Sequence, residues 1–145
     1  MKHLLVKDWM TSDVLVAEPG TPMLEAHKRM RENKVRRMPV CEGGKVVGII
    51  TRSDVRQAQP SEATSLNVWE INYLLAKLQV RDIMTKAVKT IHPEDTVKTA
   101  ATLMYDNRIG ALPVVDNENK LVGIITESDI FRIMIAWFNE EVGET

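Results

Sequence analysis

The sequence predicts an α+β protein built from two copies of a strand-helix-strand-strand-helix unit, and three observations carry that prediction. Residues 38–54, MPVCEGGKVVGIITRSD, return at 112–129 as LPVVDNENKLVGIITESD. The agreement extends upstream at a constant spacing of 74 residues, pairing Met10-Thr11 with Met84-Thr85, Pro19 with Pro93, Ala26 with Ala100, Met30 with Met104, Asn33 with Asn107 and Pro39 with Pro113. From Gly48 and Gly123 onward the spacing is 75, so the second copy gains one residue in the stretch matching Val40 to Val47. Second, apolar residues ahead of each recurring stretch fall at helical spacing. Third, each stretch consists of two β-rich runs around a polar loop. A long period seen once makes two similar units, not a solenoid array. Each unit is expected to bury its open face against its twin, with any pocket on the internal two-fold.

In the first copy the run Val14-Leu15-Val16 reads as a short strand. Thr21 offers a helix N-cap with Pro22 at the first helical position, where its missing N–H does no harm. Met23, Ala26 and Met30 then mark one face of a helix. In the second copy Val97, Ala100, Ala101 and Met104 hold that face behind Asp95 as the cap. His27, opposite Ala101, falls on or beside the buried face and reads as a packing residue rather than a ligand. Next, Met38 to Cys41, the loop Glu42-Gly43-Gly44-Lys45 and Val46 to Ile50 form a β-hairpin. Its twin runs from Leu112 through the loop Asp116 to Lys120 to Ile125, with the extra residue in the loop, where length costs little. Pro39 and Pro113 cannot donate ladder bonds, which places their strand at a sheet edge. The last strand of each copy is nearly all apolar, as for a strand covered on both faces.

The expected organisation is a first repeat at 1–57, a linker with a helix at 58–79 and a second repeat at 80–145. Gln57 to Ala63 is polar and reads as tether. Asn67-Val68-Trp69-Glu70 resembles a capping box, and Ile71, Leu74, Leu75 and Leu78 continue it as an amphipathic helix packed on one unit. Ile130 to Glu140 reads as a helix apolar nearly all round, which asks for burial, as a partner subunit would supply.

Composition narrows the function. Hydrophobic residues make up 44% and charged residues 27%, an ordinary globular balance. The longest near-apolar run, Ile130 to Phe138, is interrupted by Arg132 and far too short for a membrane span of about 20 residues. The N-terminal MKHLLVKDW has no signal-peptide pattern. The single cysteine, Cys41, reads as a small buried apolar residue in a reducing compartment. A net charge of −1 disfavours a broad nucleic-acid footprint. The expectation is a cytoplasmic domain.

No catalytic motif stands out, and His3, His27 and His92 lack metal-ligand spacing, so no catalytic and no metal residues are expected. What recurs is Gly-Ile-Ile-Thr-x-Ser-Asp, at Gly48 to Asp54 and Gly123 to Asp129. Threonine followed three residues later by an acid is a capping-box pattern, and the acid complements the helix dipole. The same geometry suits a ligand. A helix start offers N–H groups to phosphate, a threonine hydroxyl can donate beside them, and an ionised aspartate accepts from a vicinal diol such as ribose. Phosphate with ribose means a nucleotide. A cap can also be a ligand site, so both readings stand.

On these motifs, LPVVD…LVGIITESDI above all, residues 5–136 resemble a tandem pair of cystathionine-β-synthase (CBS) domains, a Bateman module. The stretch SLNVWEINYLLAKLQVRDIMT is similar to stand-alone bacterial CBS pairs of the acetoin-utilisation B type. The resemblance implies two β-α-β-β-α CBS units packed about a pseudo-two-fold axis, with two clefts that take adenosine nucleotides or S-adenosylmethionine. Carried over by position, one cleft pairs Thr51 and Asp54 with Thr85, Lys89, Ile109, Gly110 and Ala111. The other pairs Thr126 and Asp129 with Thr11, Val16, Val35 and Arg36. The copies differ at Arg36-Arg37 against Gly110-Ala111. An arginine before the Pro-Val strand reaches phosphate in similar proteins, and Arg37 stands in the copy of Thr51 and Asp54.

The expected function is a non-catalytic regulatory sensor: no required cofactor, AMP, ADP, ATP or S-adenosylmethionine as regulatory ligand, a homodimer, and a separate downstream protein as target. The rival readings are an interaction dimer with empty clefts, its TxxD motifs serving only as caps, and a weak nucleic-acid binder.

Overall fold

The helical spacing of Met23, Ala26 and Met30 is realised in full, since all three side chains are 0% exposed. The computed structural model describes residues 4–61 and 64–142. His3, the start of the MKHLLVKDW stretch and the last two residues of the Gln57–Ala63 tether lie outside the described residues.

The elements in chain order are α1 (Val6–Trp9), α2 (Met23–Glu32), β1 (Arg37–Glu42), β2 (Lys45–Thr51), α3 (Arg52–Ala58), α4 (Val68–Lys77), α5 (Val80–Ile83), α6 (Val97–Asn107), β3 (Ala111–Val115), β4 (Leu121–Thr126) and α7 (Glu127–Val142). They fall into two compact units that cut across the sequence repeats. A central unit runs from Leu15 to Val88, and a terminal unit joins the chain up to Val14 with the chain from Lys89 onward.

In the central unit β1 and β2 form an antiparallel hairpin, with Arg37 opposite Thr51 and Glu42 opposite Lys45. Gly43 and Gly44 make the turn at φ 60° and 82°, the left-handed pair that a two-residue hairpin loop requires. Val46, Gly48 and Ile50 are buried while Val47 and Ile49 are half-buried, so one face of β2 is fully covered and the other in part. Met23, Met30, Met38, Val40, Ile50, Val55 and Val80 form the core. Full burial of one such side chain stabilises by about 1.5–3 kcal/mol. Of the predicted stripe, Leu75 packs against the core, followed by Leu78 just past the end of α4, while Leu74 is exposed. The other face of α4 leaves Trp69 and Tyr73 exposed.

The terminal unit repeats the plan. Strands β3 and β4 pair with Ala111 opposite Thr126, and Val6, Ile91, Ala100, Met104, Leu112, Val114 and Ile125 fill its core. Helix α7 extends beyond the expected Ile130 to Glu140 at both ends. It leaves Phe131, Met134, Ile135, Trp137 and Phe138 exposed. No helix among the described residues is long and apolar enough to cross a membrane.

The hairpin of each repeat is met by the segment that opens the other repeat. Met84-Thr85, which opens the second repeat, bridges β2 of the first: Thr85 N–H donates to Ile49 at 2.9 Å and Ile49 N–H to Thr85 at 3.0 Å. Thr11 does the same with Ile124 of β4, with both bonds at 2.9 Å. Glycine is required where these segments cross. A Cβ on Gly48 would lie 2.6 Å from Met84 Sδ, and one on Gly123 would lie 2.6 Å from Met10 Sδ.

Several local expectations are corrected. Val14 to Val16 is not a strand; the contact shrinks to a single parallel bridge between Ala17 and Val40. Thr21 does not cap α2, whose N-cap is Pro22 without a side-chain bond. Its hydroxyl instead accepts from Glu18 N–H at 3.0 Å. Asp95 does not cap α6 either. Thr96 does, accepting from Thr99 N–H, while the Asp95 carboxylate accepts from His92 N–H. Gln57 and Ala58 belong to α3, not to the tether. At α4 only half of the box forms: Asn67 Oδ1 accepts from Glu70 N–H at 2.9 Å. The buried Cys41 behaves as read, and burial pushes its thiol up.

Candidate functional site

Both Thr-x-x-Asp motifs sit where an apolar strand runs directly into a helix. At the first, Thr51 is the N-cap of α3 in extended backbone. Its Oγ1 accepts from Asp54 N–H at 3.0 Å, and Asp54 Oδ2 accepts from Thr51 N–H at 2.9 Å. This reciprocal pair satisfies two orphan donors of the helix start. The hydroxyl proton stays available to donate, and Asp54 Oδ1 accepts no bond among the described residues.

The second motif is built differently. Thr126 N–H donates to Asp129 Oδ2 at 2.8 Å, and the hydroxyl points to the same oxygen at 3.4 Å. Asp129 is 5% exposed, a buried charged residue. Its Oδ1 accepts from the Arg132 guanidinium at 2.8 Å. The same nitrogen reaches the Trp9 carbonyl at 3.1 Å, with the guanidinium carbon 5.6 Å from the Trp9 ring centroid. Gln57 holds the corresponding position in α3. The capping box is therefore complete at Thr51 and Asp54 and half-formed at Thr126 and Asp129, and of the two carboxylates only that of Asp54 keeps an oxygen uncommitted among the described residues.

The residues expected at the site separate by unit. The central unit holds Thr51, Asp54, Thr85, Val16, Val35, Arg36 and Arg37, and the terminal unit holds Thr126, Asp129, Thr11, Lys89, Ile109, Gly110 and Ala111. Each expected cleft draws on both. Within the central unit, Arg37 sits opposite Thr51 in the hairpin, and Arg52 N–H donates to the Arg36 carbonyl at 2.8 Å, which ties both arginines to the start of α3. The terminal unit makes the same tie from Glu127 N–H to the Gly110 carbonyl at 3.0 Å. Thr85 meets β2 two residues ahead of Thr51, and Thr11 meets β4 two residues ahead of Thr126. Val16, Val35 and Ile109 are half-buried, Ala111 is buried, and Lys89 is exposed.

Beside Thr51 lies a cavity of about 480 Å³ lined by His27, Arg36, Arg37, Thr51, Arg52, Ser53 and Arg56. His27 thus lines a polar cavity rather than only packing. Arg52 and Arg56 were not singled out by motif reasoning. Aligning the copies exposes them, since Glu127 and Phe131 hold their places in the second. The matching groove of the terminal unit, about 720 Å³, is lined by Tyr105, Ile109, Ile130 and Phe131 with Asp106, Arg108 and Glu127 among its polar groups. Among the described residues no cluster of three or more His, Cys, Asp or Glu could hold a metal ion.

Comparison with known proteins agrees with this geometry. Residues 6–61 and 80–136 each match the family described as CBS domain. The uncharacterized protein MJ1426 of Methanocaldococcus jannaschii is 34% identical over 155 residues, covering 91% of this chain and 92% of that protein. MJ1225 of the same organism is 35% identical over 135 residues, covering 88% of this chain but only 46% of its own length. The chain thus spans about half of one relative and nearly all of another. Among solved structures, the CBS domain pair of MJ0100 in complex with 5′-methylthioadenosine and S-adenosyl-L-methionine superposes with a TM-score of 0.77 at 30% identity, covering 92% of this chain and 98% of that one. CBSX2 of Arabidopsis thaliana in complex with AMP gives 0.76 at 27% identity, covering 92% and 97%. A Vibrio cholerae protein described as an acetoin utilization protein gives 0.79 at 27% identity, covering 99% and 98%. With both copies matched and both Thr-x-x-Asp helix starts in place, the chain belongs to the CBS-domain family and carries a tandem pair.

Proposed function

We propose that this CBS pair is a non-catalytic regulatory module that senses an adenosine-type nucleotide through its Thr-x-x-Asp motifs. The observation that carries the reading is the start of α3. There Thr51, whose hydroxyl has a proton to donate, lines one cavity with Arg36 and Arg37, and three residues on Asp54 keeps a carboxylate oxygen that accepts no bond among the described residues. Ribose hydroxyls suit the carboxylate, and phosphate oxygens suit the hydroxyl and guanidinium groups. The solved CBS pairs crystallised with AMP and with S-adenosyl-L-methionine support the ligand class. The two motifs are not equivalent: Asp129 is committed to Arg132, and Gly110-Ala111 supplies no cation. The Thr51/Asp54 motif is therefore the better site for a multiply phosphorylated nucleotide. Some relatives carry such a pair inside an enzyme, as in the inosine-5′-monophosphate dehydrogenase of Korarchaeum cryptofilum, of which this chain matches 23%. The module acts on a downstream protein, in the cytoplasm, as a homodimer, a reading supported by the exposed apolar residues Phe131, Ile135, Trp137 and Phe138 of α7.

A thermal-shift panel of AMP, ADP, ATP and S-adenosylmethionine tests the reading. A ligand at 100 times its dissociation constant adds about 2.7 kcal/mol of stability. A shift with at least one member is expected. No shift with any of them would leave the motifs as caps alone and favour an interaction protein.

A further inference from the structure

The Thr126/Asp129 motif has both of its ligand-type groups engaged within the chain. The Thr126 hydroxyl points to Asp129 Oδ2 at 3.4 Å, whereas the Thr51 hydroxyl accepts from Asp54 N–H and keeps its proton. Asp129 Oδ1, the oxygen left over for a diol, is taken by Arg132 at 2.8 Å. The two residues stand three apart on α7, so helix geometry alone brings them together. A second contact fixes the arginine from outside the helix. The same guanidinium nitrogen donates to the carbonyl of Trp9, at the end of α1, where a helix leaves its last carbonyls without partners. The guanidinium carbon also lies 5.6 Å from the Trp9 ring centroid, within cation–π range. Trp9, Thr126, Asp129 and Arg132 all belong to the terminal unit.

The fold does not demand this arrangement. In the first copy Gln57 stands in the place of Arg132 and Ile83 in that of Trp9, so both partners are absent together. Burial makes the contact strong where it occurs. The Asp129 side chain is 8% exposed, and a charge-assisted bond to a carboxylate held away from water is among the stronger polar contacts. The Arg132 side chain is 57% exposed, so its charge has water to turn to when displaced. A vicinal diol reaches Asp129 Oδ1 only by displacing the arginine.

We infer that Arg132 is a positioning residue that closes the Thr126/Asp129 motif: anchored on Trp9, it holds Asp129 Oδ1 away from a ribose diol, and the chain takes nucleotide at the Thr51/Asp54 motif alone. This latch rests on the nucleotide reading and adds to it a stoichiometry of one nucleotide per chain.

Isothermal titration of AMP and 2′-deoxy-AMP into the full chain tests it, using wild type, Arg132→Gln, which installs the residue of the first copy, and Arg132→Gln combined with Asp129→Asn. A circular-dichroism melt confirms that each protein is folded. Wild type is expected to bind one equivalent of AMP. Arg132→Gln is expected to bind two, the second event tightened by about ten- to hundredfold, the strength of a charge-assisted bond expressed as affinity. A merely structural arginine would leave the stoichiometry unchanged. The second event should be lost in the double variant and, for want of the diol, with 2′-deoxy-AMP. Two equivalents in wild type, or one in Arg132→Gln, would overturn the latch and leave the nucleotide reading in place. A second event that survives Asp129→Asn would also overturn it, since the arginine would then act elsewhere. No binding by any of the proteins would remove the nucleotide reading itself, and the latch with it.

Discussion

The Arg132 guanidinium donates to Asp129 Oδ1 at 2.8 Å, a contact with no counterpart at the Thr51/Asp54 helix start, since Gln57 stands there in place of the arginine. Asp129 is nearly buried and Arg132 is half exposed, with side-chain exposures of 8% and 57%. Removing the arginine leaves a buried carboxylate with only its cap donors. Because Arg132 is solvent-screened, Arg132→Ala is expected to cost no more than about 1 kcal/mol in urea denaturation, and Gln57→Ala markedly less.

Gly48 and Gly123 are the positions least able to accept a side chain. A Cβ at Gly48 would stand 2.9 Å from the Thr85 carbonyl oxygen, and one at Gly123 would stand 2.9 Å from that of Thr11. Backbone cannot swing away as a side-chain tip can, so Gly48→Ala and Gly123→Ala are each expected to destabilise by about 1–3 kcal/mol. Gly20→Ala meets only the Arg81 guanidinium tip at 3.2 Å and should be close to neutral in the same melts.

Lys34 and Arg108 occupy the same place after α2 and α6, in left-handed backbone at φ 55° and 54°. The bonds Val35 N–H to Met30 and Ile109 N–H to Met104 close each helix around them, a setting that favours glycine. Lys34→Gly and Arg108→Gly are expected to raise stability by up to about 1 kcal/mol each, read from the denaturant midpoint. A loss in both would show that these side chains contribute more than their backbone strain costs.

Asp116 sets a pH dependence in the β3–β4 loop. Backbone N–H groups of Lys120 and Glu118 hold its carboxyl below the ordinary carboxylate value. A carboxyl lowered on folding contributes stability that is full above its unfolded value and lost as the pH falls through its folded one. Between about pH 5 and pH 3 the melting temperature of wild type should therefore fall more than that of Asp116→Asn. Parallel slopes would contradict the assignment.

Much of this was legible in the sequence, for identifiable reasons. The α2 and α6 faces were readable because burial follows the 3.6-residue period directly, and the hairpins because turn residues punctuate apolar runs. The caps at Thr21 and Asp95 were misread by a residue or so because neighbouring hydroxyls and carboxylates compete for the same N–H groups. The exchange of Met10-Thr11 and Met84-Thr85 between repeats was not readable, since a local pattern carries no record of which hairpin a segment joins. Of the candidate site, Thr51, Asp54, Thr126 and Asp129 stand out by recurrence. Arg52, Arg56 and Arg132 escaped because they differ between the copies, and a search for recurrence passes over differences.

The most direct measurement is isothermal titration of AMP and ATP into wild type, Asp54→Ala and Asp129→Ala. Expected are nucleotide binding by wild type, a loss of about tenfold or more in Asp54→Ala, and a smaller effect on ATP in Asp129→Ala. Absence of binding by wild type, or equal affinities in all three proteins, would contradict a nucleotide sensor built on the Thr51/Asp54 helix start.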